Sequence, residues 1–580
     1  MTRNFPLSGR KTSHEYSFRP TGDAATDTAQ WAGLVAAINA QTNGGNIVIR
    51  DNGQQAVIKA GIGYSTSSNF VKPARVRGES VGSRIRFEDG FQIKYYGDEN
   101  IFDSGATMPA WVTRGTMSAI QARKSLITGV SIPLTRGDWV VVYADNALTN
   151  VEPHVSGGQQ RPAELHRVEF SPATDQYNLD GEIYDPLTTS PKIAKISMLK
   201  NCSFENLTVG SNRLTAGTAT LTAFLDVFGC HGFRMENVQV DETGAGWTAF
   251  ECCADTIISN YSGLYQPNNA LDYGLVINLC RGLIYQDSVW HNSRHLVTTG
   301  GQLTSTNIRW GTPRGIQINN IIGYMSGDSY SNDYAMFDTH AEGEGIQFNG
   351  CEAHCGLIYT PAGAEENFIG FSGRARNTFY NNCKVFVGRS NDETTTEADY
   401  KNVHRGFQLI GANNTLTDCY VRGAYIGYEA RVGFFGSNLP GMRFINCEAD
   451  ECAGASIWWD TARDNAEVIG FRARNSSGYY ATGTPYLPGA IIVMRGGTGH
   501  KIRDSYLDRG PNHYSLSAGA LATTDIEFVG NYTRGYTSHF TSGTNKIGVR
   551  GDTGDPKAPV SDSATGASFQ STYSAVNYTS

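Results

Sequence analysis

One stretch of the chain concentrates side chains that can transfer protons or bind anions. Its second half, MFDTHAEGEGIQFNG, contains Asp338, His340, Glu342 and Glu344. Its first half, VWHNSRHLVTTGG, adds Arg294 and His295. Carboxyl and imidazole groups are the usual general acids and bases of enzymes. The stretch is therefore the first candidate for a catalytic site.

Two carboxyl groups in this stretch fit glycosidic-bond hydrolysis. Such enzymes need carboxyls about 5 Å apart for retention, or roughly 6.5 to 9.5 Å apart for inversion. If Phe337 points inward on a strand, then Asp338 and His340 share the outward face, about 7 Å apart. Asp338 with Glu342 or Glu344 would meet the wider spacing. This pattern predicts an inverting reaction with Asp338 as acid or base.

The same stretch also fits elimination from a uronic acid. A lyase needs a base, for which His340 or His295 would serve, and a cation to stabilise the uronate carboxylate. Arg294, or Arg374 in the later segment FIGFSGRAR, would supply the cation. Outward strand residues are polar in any case, so a solvated face without catalysis is the third interpretation.

Tryptophans mark candidate contacts to a sugar ring. Trp458 and Trp459 are adjacent in IWWDTARD, so on a strand one of the two must point outward. An exposed indole presents an apolar face on which a sugar can stack. Trp290, beside the catalytic stretch, is a third candidate for substrate binding. Burial against a neighbouring subunit is the alternative.

A repeat along the chain predicts the element that must position these residues. From residue 206 onward, a large apolar residue stands two positions before an Asn, Asp or Gly, at intervals of 23 to 36 residues. Asn, Asp and Gly accept a left-handed backbone most readily, which predicts a sharp bend after each short strand. The bend positions are Asn206, Asn237, Asn260, Asp287, Asn320, Gly350, Asn382, Asp418, Asn446, Gly470, Asp504 and Gly530.

The residues two positions before the bends should form one buried row. They are Phe204, Met235, Ile258, Tyr285, Ile318, Phe348, Tyr380, Leu416, Phe444, Val468, Ile502 and Phe528. Cysteine follows the bend at Cys351, Cys383, Cys419 and Cys447, which predicts a column of buried thiols. Repeats of this length, with short strands and no helical period, predict an all-β chain folded as a right-handed single-stranded parallel β-helix.

The rest of the chain divides around this solenoid. We expect an N-terminal segment with a capping helix over residues 1–50, whose helix TDTAQWAGLVAAINA begins at Asp27 or Thr28 as N-cap. Irregular first coils over 51–130 and a β-strand excursion over 131–197 should follow. About twelve coils then occupy 198–535, and a Ser/Thr/Gly-rich tail occupies 536–580.

Composition excludes several classes of function. The 580 residues carry a formal charge of -8, which does not suit a nucleic-acid-binding surface. No apolar run reaches the roughly 18 residues of a membrane helix, and the N-terminus lacks the apolar core of a secretory signal. His354 beside Cys351 and Cys355 lacks a second ligand pair at zinc-finger spacing. We therefore predict no metal and no cofactor, and buried thiols made in a reducing cytoplasm.

Three segments together resemble the bacteriophage tailspike and tail-fibre proteins of the pectate-lyase-like superfamily. They are the entry TGDAATDTAQWAGLVAAINA…GGNIVI, the excursion GDWVVV…HRVEF…YNLDGEIYDPL, and coils of the type NCSFENLTV. The resemblance covers residues 20 to 535 and departs from the family in having no sizeable head domain before the entry helix.

The resemblance implies a homotrimer in the virion tail, assembled in the host cytoplasm and attached to other tail or baseplate proteins. It implies recognition and depolymerisation of a bacterial surface polysaccharide (capsule, O-antigen or exopolysaccharide), with hydrolysis favoured over elimination. A receptor-binding tail protein without enzymatic activity, and a bacterial β-helix lyase or epimerase, share the fold and remain alternatives.

Overall fold

The computed structural model describes most of the chain between residues 14 and 554. The described residues are 14–59, 67–96, 101–102, 112–148, 151, 159–212, 223–244, 248–264, 273–293, 295–305, 308–325, 334–356, 368–388, 404–431, 439–452, 455–459, 464–474, 490–494, 497–508, 516–520, 524–529, 531–534, 547–550 and 553–554. They form one α-helix, Ala24–Asn39, and fifty β-strands. No helix in this part of the chain is long and apolar enough to cross a membrane.

The strands stack into a parallel β-helix with three faces, which confirms the predicted fold class. The first face pairs in the order Glu15–Phe18, Gly45–Ile49, Ala74–Gly78, Ser203–Asn212, Arg234–Gly244, Ile257–Leu264, Ile284–His291, Gln317–Met325, Gln347–Asn349, Phe379–Asn381, Asn414–Thr417, Met442–Ile445, Ala466–Ile469, Thr498–Arg503, Thr524–Val529 and Ile547–Arg550. The five strands from Ser203–Asn212 to Gln317–Met325 bend and continue onto the second face.

The second face is completed by strands that lie there alone. They are Gln55–Lys59, Arg84–Glu88, Glu352–Cys355, Lys384–Val387, Tyr420–Arg422, Glu448–Asp450, Arg472–Arg474, Tyr506–Asp508, Tyr532–Arg534 and Thr553–Gly554. The third face contains Ser67–Phe70, Gln92–Tyr95, Leu225–Phe228, Thr248–Glu251, Tyr273–Asn278, His295–Gly300, Tyr334–Thr339, Phe368–Gly373, Arg405–Leu409, Ile426–Ala430, Ala455–Trp459, Ala490–Met494 and Leu516–Ala520.

The bend between the first two faces is the repeat read from the sequence. Eleven of the twelve bend positions are described, and every one has a left-handed backbone, with φ between 51° and 64°. The residues two positions earlier are partners from strand to strand, beginning with Phe204↔Met235↔Ile258 and ending with Ile502↔Phe528. From Phe204 to Ile502 each is at most 1% exposed. The predicted inner row is thus buried from Phe204 to Ile502.

Asparagine side chains reinforce this bend. Asn237 donates to Asn206 at 2.9 Å and Asn260 donates to Asn237 at 2.8 Å. A side-chain amide has both a donor and an acceptor, so identical residues one coil apart can satisfy each other. Bend residues therefore stabilise the stack as well as turning the chain. All eleven cysteines are buried and free, which agrees with the predicted thiol column at Cys351, Cys383, Cys419 and Cys447.

The solenoid extends farther in both directions than the sequence indicated. Within the segment predicted as irregular coils, Ala74–Gly78 pairs in parallel with Gly45–Ile49 and with Ser203–Asn212. At the other end, Ile547–Arg550 and Thr553–Gly554 pair in parallel with the preceding coil, inside the segment predicted as a tail. The residues after 554 lie outside the described part of the chain.

The capping helix begins earlier than predicted. Its N-cap is Asp23, whose carboxylate accepts a hydrogen bond from the backbone N–H of Thr26 at 2.8 Å. Asp27 and Thr28 lie within the first turns and are buried. The Asp27 carboxylate accepts from Thr21 and from the backbone of Val57, and thereby ties the helix to the first coils. An acidic residue inside the first turn looks like a cap in sequence, because both positions favour the same residue types.

The excursion is a six-stranded antiparallel sheet inserted between two coils. It begins at 112, earlier than the predicted 131, and its order is Val112–Thr116, Lys192–Ile196, Trp139–Tyr143, Ala163–Ala173, Gln176–Ile183 and Lys124–Ile127. Smaller sheets join Gln159–Arg161 with Gln302–Ser305 and Ile308–Trp310, and Leu199–Lys200 with Cys230–His231. The strand Ile308–Trp310 therefore fixes one part of the rod against the excursion.

Candidate functional site

Asp338 lies on the outward side of the third face. Phe337 points into the rod, where its ring stacks on that of Phe371 at a centroid distance of 4.5 Å. Alternation along the strand then places Asp338 outside. Its partners on the neighbouring coils are Thr298 and Ser372. The segments RHLVTTGG and FIGFSGRAR thus lie on either side of Asp338, as the sequence predicted.

The Asp338 carboxylate is enclosed by donors and is only 1% exposed. Its Oδ2 accepts hydrogen bonds from Arg374 at 2.8 Å and from the Thr298 hydroxyl at 3.2 Å. Nε2 of His340 lies 3.3 Å from the same oxygen. Burial alone would raise the pKa of Asp338, but the Arg374 charge and the His340 hydrogen bond hold it well below its usual range. Asp338 is therefore a carboxylate across the working pH range of most enzymes.

His340 is fixed in one tautomer by its neighbours. Nη1 of Arg309 lies 2.8 Å from Nδ1 of His340, and a guanidinium can only donate, so Nδ1 accepts. The remaining ring proton is then on Nε2 and points at Asp338. Burial, together with the charges of Arg374 and Arg309, lowers the pKa of His340 to about 3. The imidazole is neutral, and both of its nitrogens are occupied.

Glu342 is a buried carboxyl without a hydrogen bond. Its side chain is 0% exposed, and neither carboxyl oxygen has a hydrogen-bond partner in the described structure. The closest cationic atom is Nε of Arg309, at 3.7 Å. Burial raises the pKa of Glu342 and the negative charge of Asp338 adds to this, while Arg309 opposes it in part. Glu342 therefore holds a proton more tightly than an ordinary glutamate.

Asp338 and Glu342 thus have opposite pKa shifts within one site. Pairs of titratable groups whose surroundings separate their pKa values are the usual arrangement for acid–base catalysis. The ionised member can act as base and the protonated member as acid. Among the described residues, no group of three or more histidine, cysteine or acidic side chains is placed to hold a metal ion.

Glu344 belongs to a different cluster, which corrects its assignment to the catalytic group. Its carboxylate lies 3.0 Å from Nη2 of Arg376 and accepts a hydrogen bond from Asn377 at 2.9 Å. Arg376 in turn contacts Asp185 of the excursion at 2.5 Å. Glu344 follows a turn after Glu342 and faces the excursion. Its role there is to join the excursion to the rod.

The other predicted acid–base and cationic residues have mixed outcomes. His295 lies on the strand below Asp338, is 6% exposed, and its Nδ1 donates to the carbonyl of Ala335 at 2.5 Å. Its charge is close enough to influence Asp338. Arg374 is brought to Asp338 directly. Arg294 lies outside the described residues.

Two of the three tryptophans are in the core, which corrects their assignment to substrate binding. Trp290 is 1% exposed and donates from Nε1 to the Tyr285 hydroxyl at 2.6 Å. Gly263 makes room for the indole on the neighbouring coil, since a Cβ there would lie 2.2 Å from it. Trp459 is 0% exposed because it follows the inward Ile457 by two positions. Trp458 points outward and is half-buried.

Sequence reasoning missed two features of the site. Arg309 comes from the short strand Ile308–Trp310, outside the repeat, so no periodic signal indicated it. Glu429 lies on the same outward row as Asp338, three coils farther along, and could have been found. The inward rings Phe371, Phe407 and Tyr428 stack in order, and the residue after each ring belongs to the row.

Comparisons with known proteins give similarity at the level of structure. No family model matches the chain, and no curated protein matches its sequence. The tailspike protein gp49 from Pseudomonas phage LKA1 has a TM-score of 0.51 at 15% identity, over 93% of this chain and 77% of that chain. The chain has the fold of a phage tailspike.

Two further tailspikes were found with lower scores. The Gp54 tailspike of Acinetobacter baumannii bacteriophage AP22, in complex with an A. baumannii capsular saccharide, has a TM-score of 0.48 at 14% identity, over 92% of this chain and 73% of that chain. The Pseudomonas phage phi297 tailspike gp61 has a TM-score of 0.46 at 13% identity, over 91% and 74%. The similarity to gp49 confirms the resemblance to the tailspike fold, whereas the chemistry rests on the site itself.

Proposed function

We propose that this chain is a phage tailspike that binds a bacterial surface polysaccharide and hydrolyses its glycosidic bonds. The observation that carries the proposal is the pair of buried carboxyls, Asp338 and Glu342, whose pKa values are shifted in opposite directions. The tailspike fold supports the biological setting, and the site supports the chemistry.

In the reaction we propose, Glu342 is the general acid and Asp338 the general base. Asp338 takes a proton from a water molecule whose oxygen attacks the anomeric carbon. Glu342 gives its proton to the glycosidic oxygen as the carbon–oxygen bond breaks, which completes one hydrolysis with inversion. Transfer of a proton from Asp338 through solvent back to Glu342 restores the starting state.

The contacts of His340 favour hydrolysis over elimination. A lyase base must accept a proton from a sugar carbon through a lone pair that is available. In His340 the Nδ1 lone pair accepts from Arg309 and Nε2 carries the proton that faces Asp338. His340 is therefore arranged to orient Asp338 rather than to abstract a proton.

Several parts of the proposal follow from the tailspike role. The chain would act as a homotrimer in the virion tail, joined there to other tail or baseplate proteins. Trp458, outward and half-buried on the row that contains Asp338, would contact the polysaccharide. Capsule, O-antigen and exopolysaccharide are the substrate classes to compare.

The test compares Glu342→Gln with Glu352→Gln on polysaccharides purified from a panel of bacterial strains. Glu352 is a matched control, because it is a surface glutamate on the second face, 25% exposed, that pairs with Lys384 and His354. We expect wild type to release reducing ends and Glu342→Gln to lose more than about 100-fold of that rate, as is usual for a general acid. Glu352→Gln should retain full activity.

Each other outcome contradicts a defined part of the proposal. Full activity in Glu342→Gln would show that Glu342 is not the general acid. An ultraviolet-absorbing unsaturated uronate among the products would replace hydrolysis by elimination. Tight binding without any release of reducing ends would instead indicate a receptor-binding protein that does not cleave.

A further inference from the structure

The outward row of the third face connects the candidate site to the length of the rod. One residue of each coil contributes to it, and strand pairing places these residues directly above one another. Neighbouring members are separated by one strand spacing, about 4.8 Å. The row consists of Lys94, Asp226, Ala249, Val276, Thr298, Asp338, Ser372, Gln408, Glu429 and Trp458.

Every acid on this row pairs with a cation whose side chain is more exposed than its own. The side chain of Asp226 is 10% exposed, and that of Lys94, whose Nζ lies 4.0 Å from its carboxylate, is 13% exposed. It is 6% for Glu429 against 13% for Arg405, which lies 2.5 Å away. Asp338 is 2% exposed against 24% for Arg374. A ligand that lies along the described part of the row therefore meets few exposed carboxylate oxygens.

Within the candidate site, too, the nitrogen-containing side chains are more exposed than the carboxyl groups they contact. Arg309 is 19% exposed above Glu342, which is 0% exposed. His340 is 22% exposed above Asp338. Arg309 and Arg374 are thus more exposed than the two carboxyl groups that they contact. In a chain of net charge -8, this site therefore presents guanidinium groups rather than carboxylates to a ligand.

Acids on other faces are not hidden in this way. Glu352 and Glu448 on the second face are each 25% exposed, and Glu467 on the first face is 26% exposed, although all three have cationic partners. The acids of the row are thus more deeply buried than these three, and Glu344, which is also buried, lies where the rod meets the excursion. Exposed carboxylates would repel an anionic polymer, whereas a row of capped acids removes that repulsion.

We infer that the polysaccharide taken by this site carries a negative charge on its repeating unit, as a carboxylate or a phosphate. The inference rests on the proposed function and narrows its substrate class. Guanidinium groups bind both anions with two parallel hydrogen bonds. A substrate anion that pairs with Arg309 or Arg374 would draw that side chain from its buried acid and open the site to the sugar.

The test uses each polysaccharide of the panel that the protein cleaves, in its native form and in two modified forms. Carbodiimide activation followed by borohydride reduction converts carboxylates to alcohols, and aqueous hydrofluoric acid removes phosphate. We expect removal of the charged group to lower kcat/KM at least tenfold. The form that loses activity identifies the anion. Affinity electrophoresis in gels that contain each form reports binding without cleavage.

The variant Arg309→Gln, with Arg443→Gln as control, assigns the effect to the site. Arg443 is 52% exposed on the first face and pairs with Glu467. We expect Arg309→Gln to weaken binding of the native polysaccharide at least tenfold more than binding of the uncharged form, as measured in these gels. Arg443→Gln should match wild type on both.

The failures of the two proposals are distinguishable. Cleavage of uncharged polysaccharides as fast as of charged ones, or an equal loss of affinity for both forms in Arg309→Gln, would overturn this inference and leave the proposed function intact. Neither cleavage nor binding of any polysaccharide in the panel would overturn both.

Discussion

Arg309 donates a hydrogen bond to Nδ1 of His340 over 2.8 Å, from a strand that lies outside the repeat. This contact leaves the only imidazole proton on Nε2, where it faces Asp338. A residue of a strand beside the excursion thus fixes the tautomer of a histidine on the rod. His340 is consequently a positioning residue in the reaction we propose.

We predict that His340→Gln retains more activity than His340→Ala. A glutamine amide can still donate to Asp338, so its kcat should stay within about tenfold of wild type, whereas alanine should lose more. Rates of reducing-end release at saturating polysaccharide measure this. An equal loss of more than about 100-fold in both variants would instead make His340 a base.

Glu342→Gln should make the protein more stable at neutral pH while it removes activity. Burial raises the pKa of Glu342 above its ordinary value of 4.5, so the ionised form is disfavoured in the folded state. Stability is then lost as pH rises through the folded-state pKa, and an uncharged amide avoids this loss. Thermal unfolding should give a higher Tm for the variant at pH 7 and a smaller difference at pH 4. A lower Tm for the variant at pH 7 would contradict the view that burial disfavours the ionised Glu342 side chain.

The pH dependence of kcat/KM should follow the same two groups. Activity should persist to acidic pH, because Asp338 stays ionised below its ordinary pKa of 3.8. It should decline toward alkaline pH as Glu342 loses its proton, at a pH above 4.5. Initial rates across the pH range at low substrate measure both limbs. An alkaline limb that persists in the residual activity of Glu342→Gln would assign that limb to another residue.

Docking of the excursion should be sensitive to acid. Glu164 of the excursion is buried against Arg314 of the rod at 2.5 Å. Burial opposes ionisation of Glu164, but the charge of Arg314 lowers its pKa to about 2 from an ordinary 4.5. The stabilisation is present above pH 4.5 and is lost as pH falls toward 2.

Limited proteolysis of the excursion measures that loss, with Glu164→Gln as the comparison. Removal of one partner from a buried ion pair typically costs about 3–5 kcal/mol. We expect the variant to be cleaved at pH 7 as wild type is cleaved near pH 2. Resistance of the variant at pH 7 would show that apolar contacts alone hold the excursion.

Phe348→Ala should destabilise the rod by about 3–5 kcal/mol, as large-to-small changes in cores do. The ring is 0% exposed and stacks on Tyr380 at a centroid distance of 5.1 Å. Denaturant unfolding measures the change. Phe379→Ala is the control, since Phe379 is 39% exposed on the same face. Equal effects of the two substitutions would contradict the inner row.

The fold was predictable because its signal is local and repeated. Each coil requires one left-handed residue and one large inward residue two positions before it, as at Asn446 and Phe444, and both requirements are visible in residue types. The coils around Val76 and Val549 were missed, although Gly78 and Gly551 stand two positions after them in the sequence. The excursion separates the first from the other repeats, and the second lies in the Ser/Thr/Gly-rich segment that was assigned to a tail.

The site was predictable only in part, for a physical reason. Alternation along one strand located Asp338, but it does not distinguish Glu342 from Glu344, because both follow the end of that strand. Glu342 contacts Arg309, whereas Glu344, two residues later, contacts Arg376. The burial of Trp290 depends on Gly263, a residue of another coil. Contacts between coils, and contacts with the excursion, join residues that are far apart in the sequence, so the pattern of one segment does not predict them.

The left-handed bends have a consequence for how such a protein can change. Because each Asn, Asp or Gly corner sets the path of the next strand afresh, a corner loop elsewhere in the coil can lengthen or shorten without shifting the strands stacked above it. The stretches that border Asp338 are thus free to diverge while the rod keeps its alignment. If the chain has the function we propose, remodelled loops would change which glycan it binds and leave the reaction unchanged.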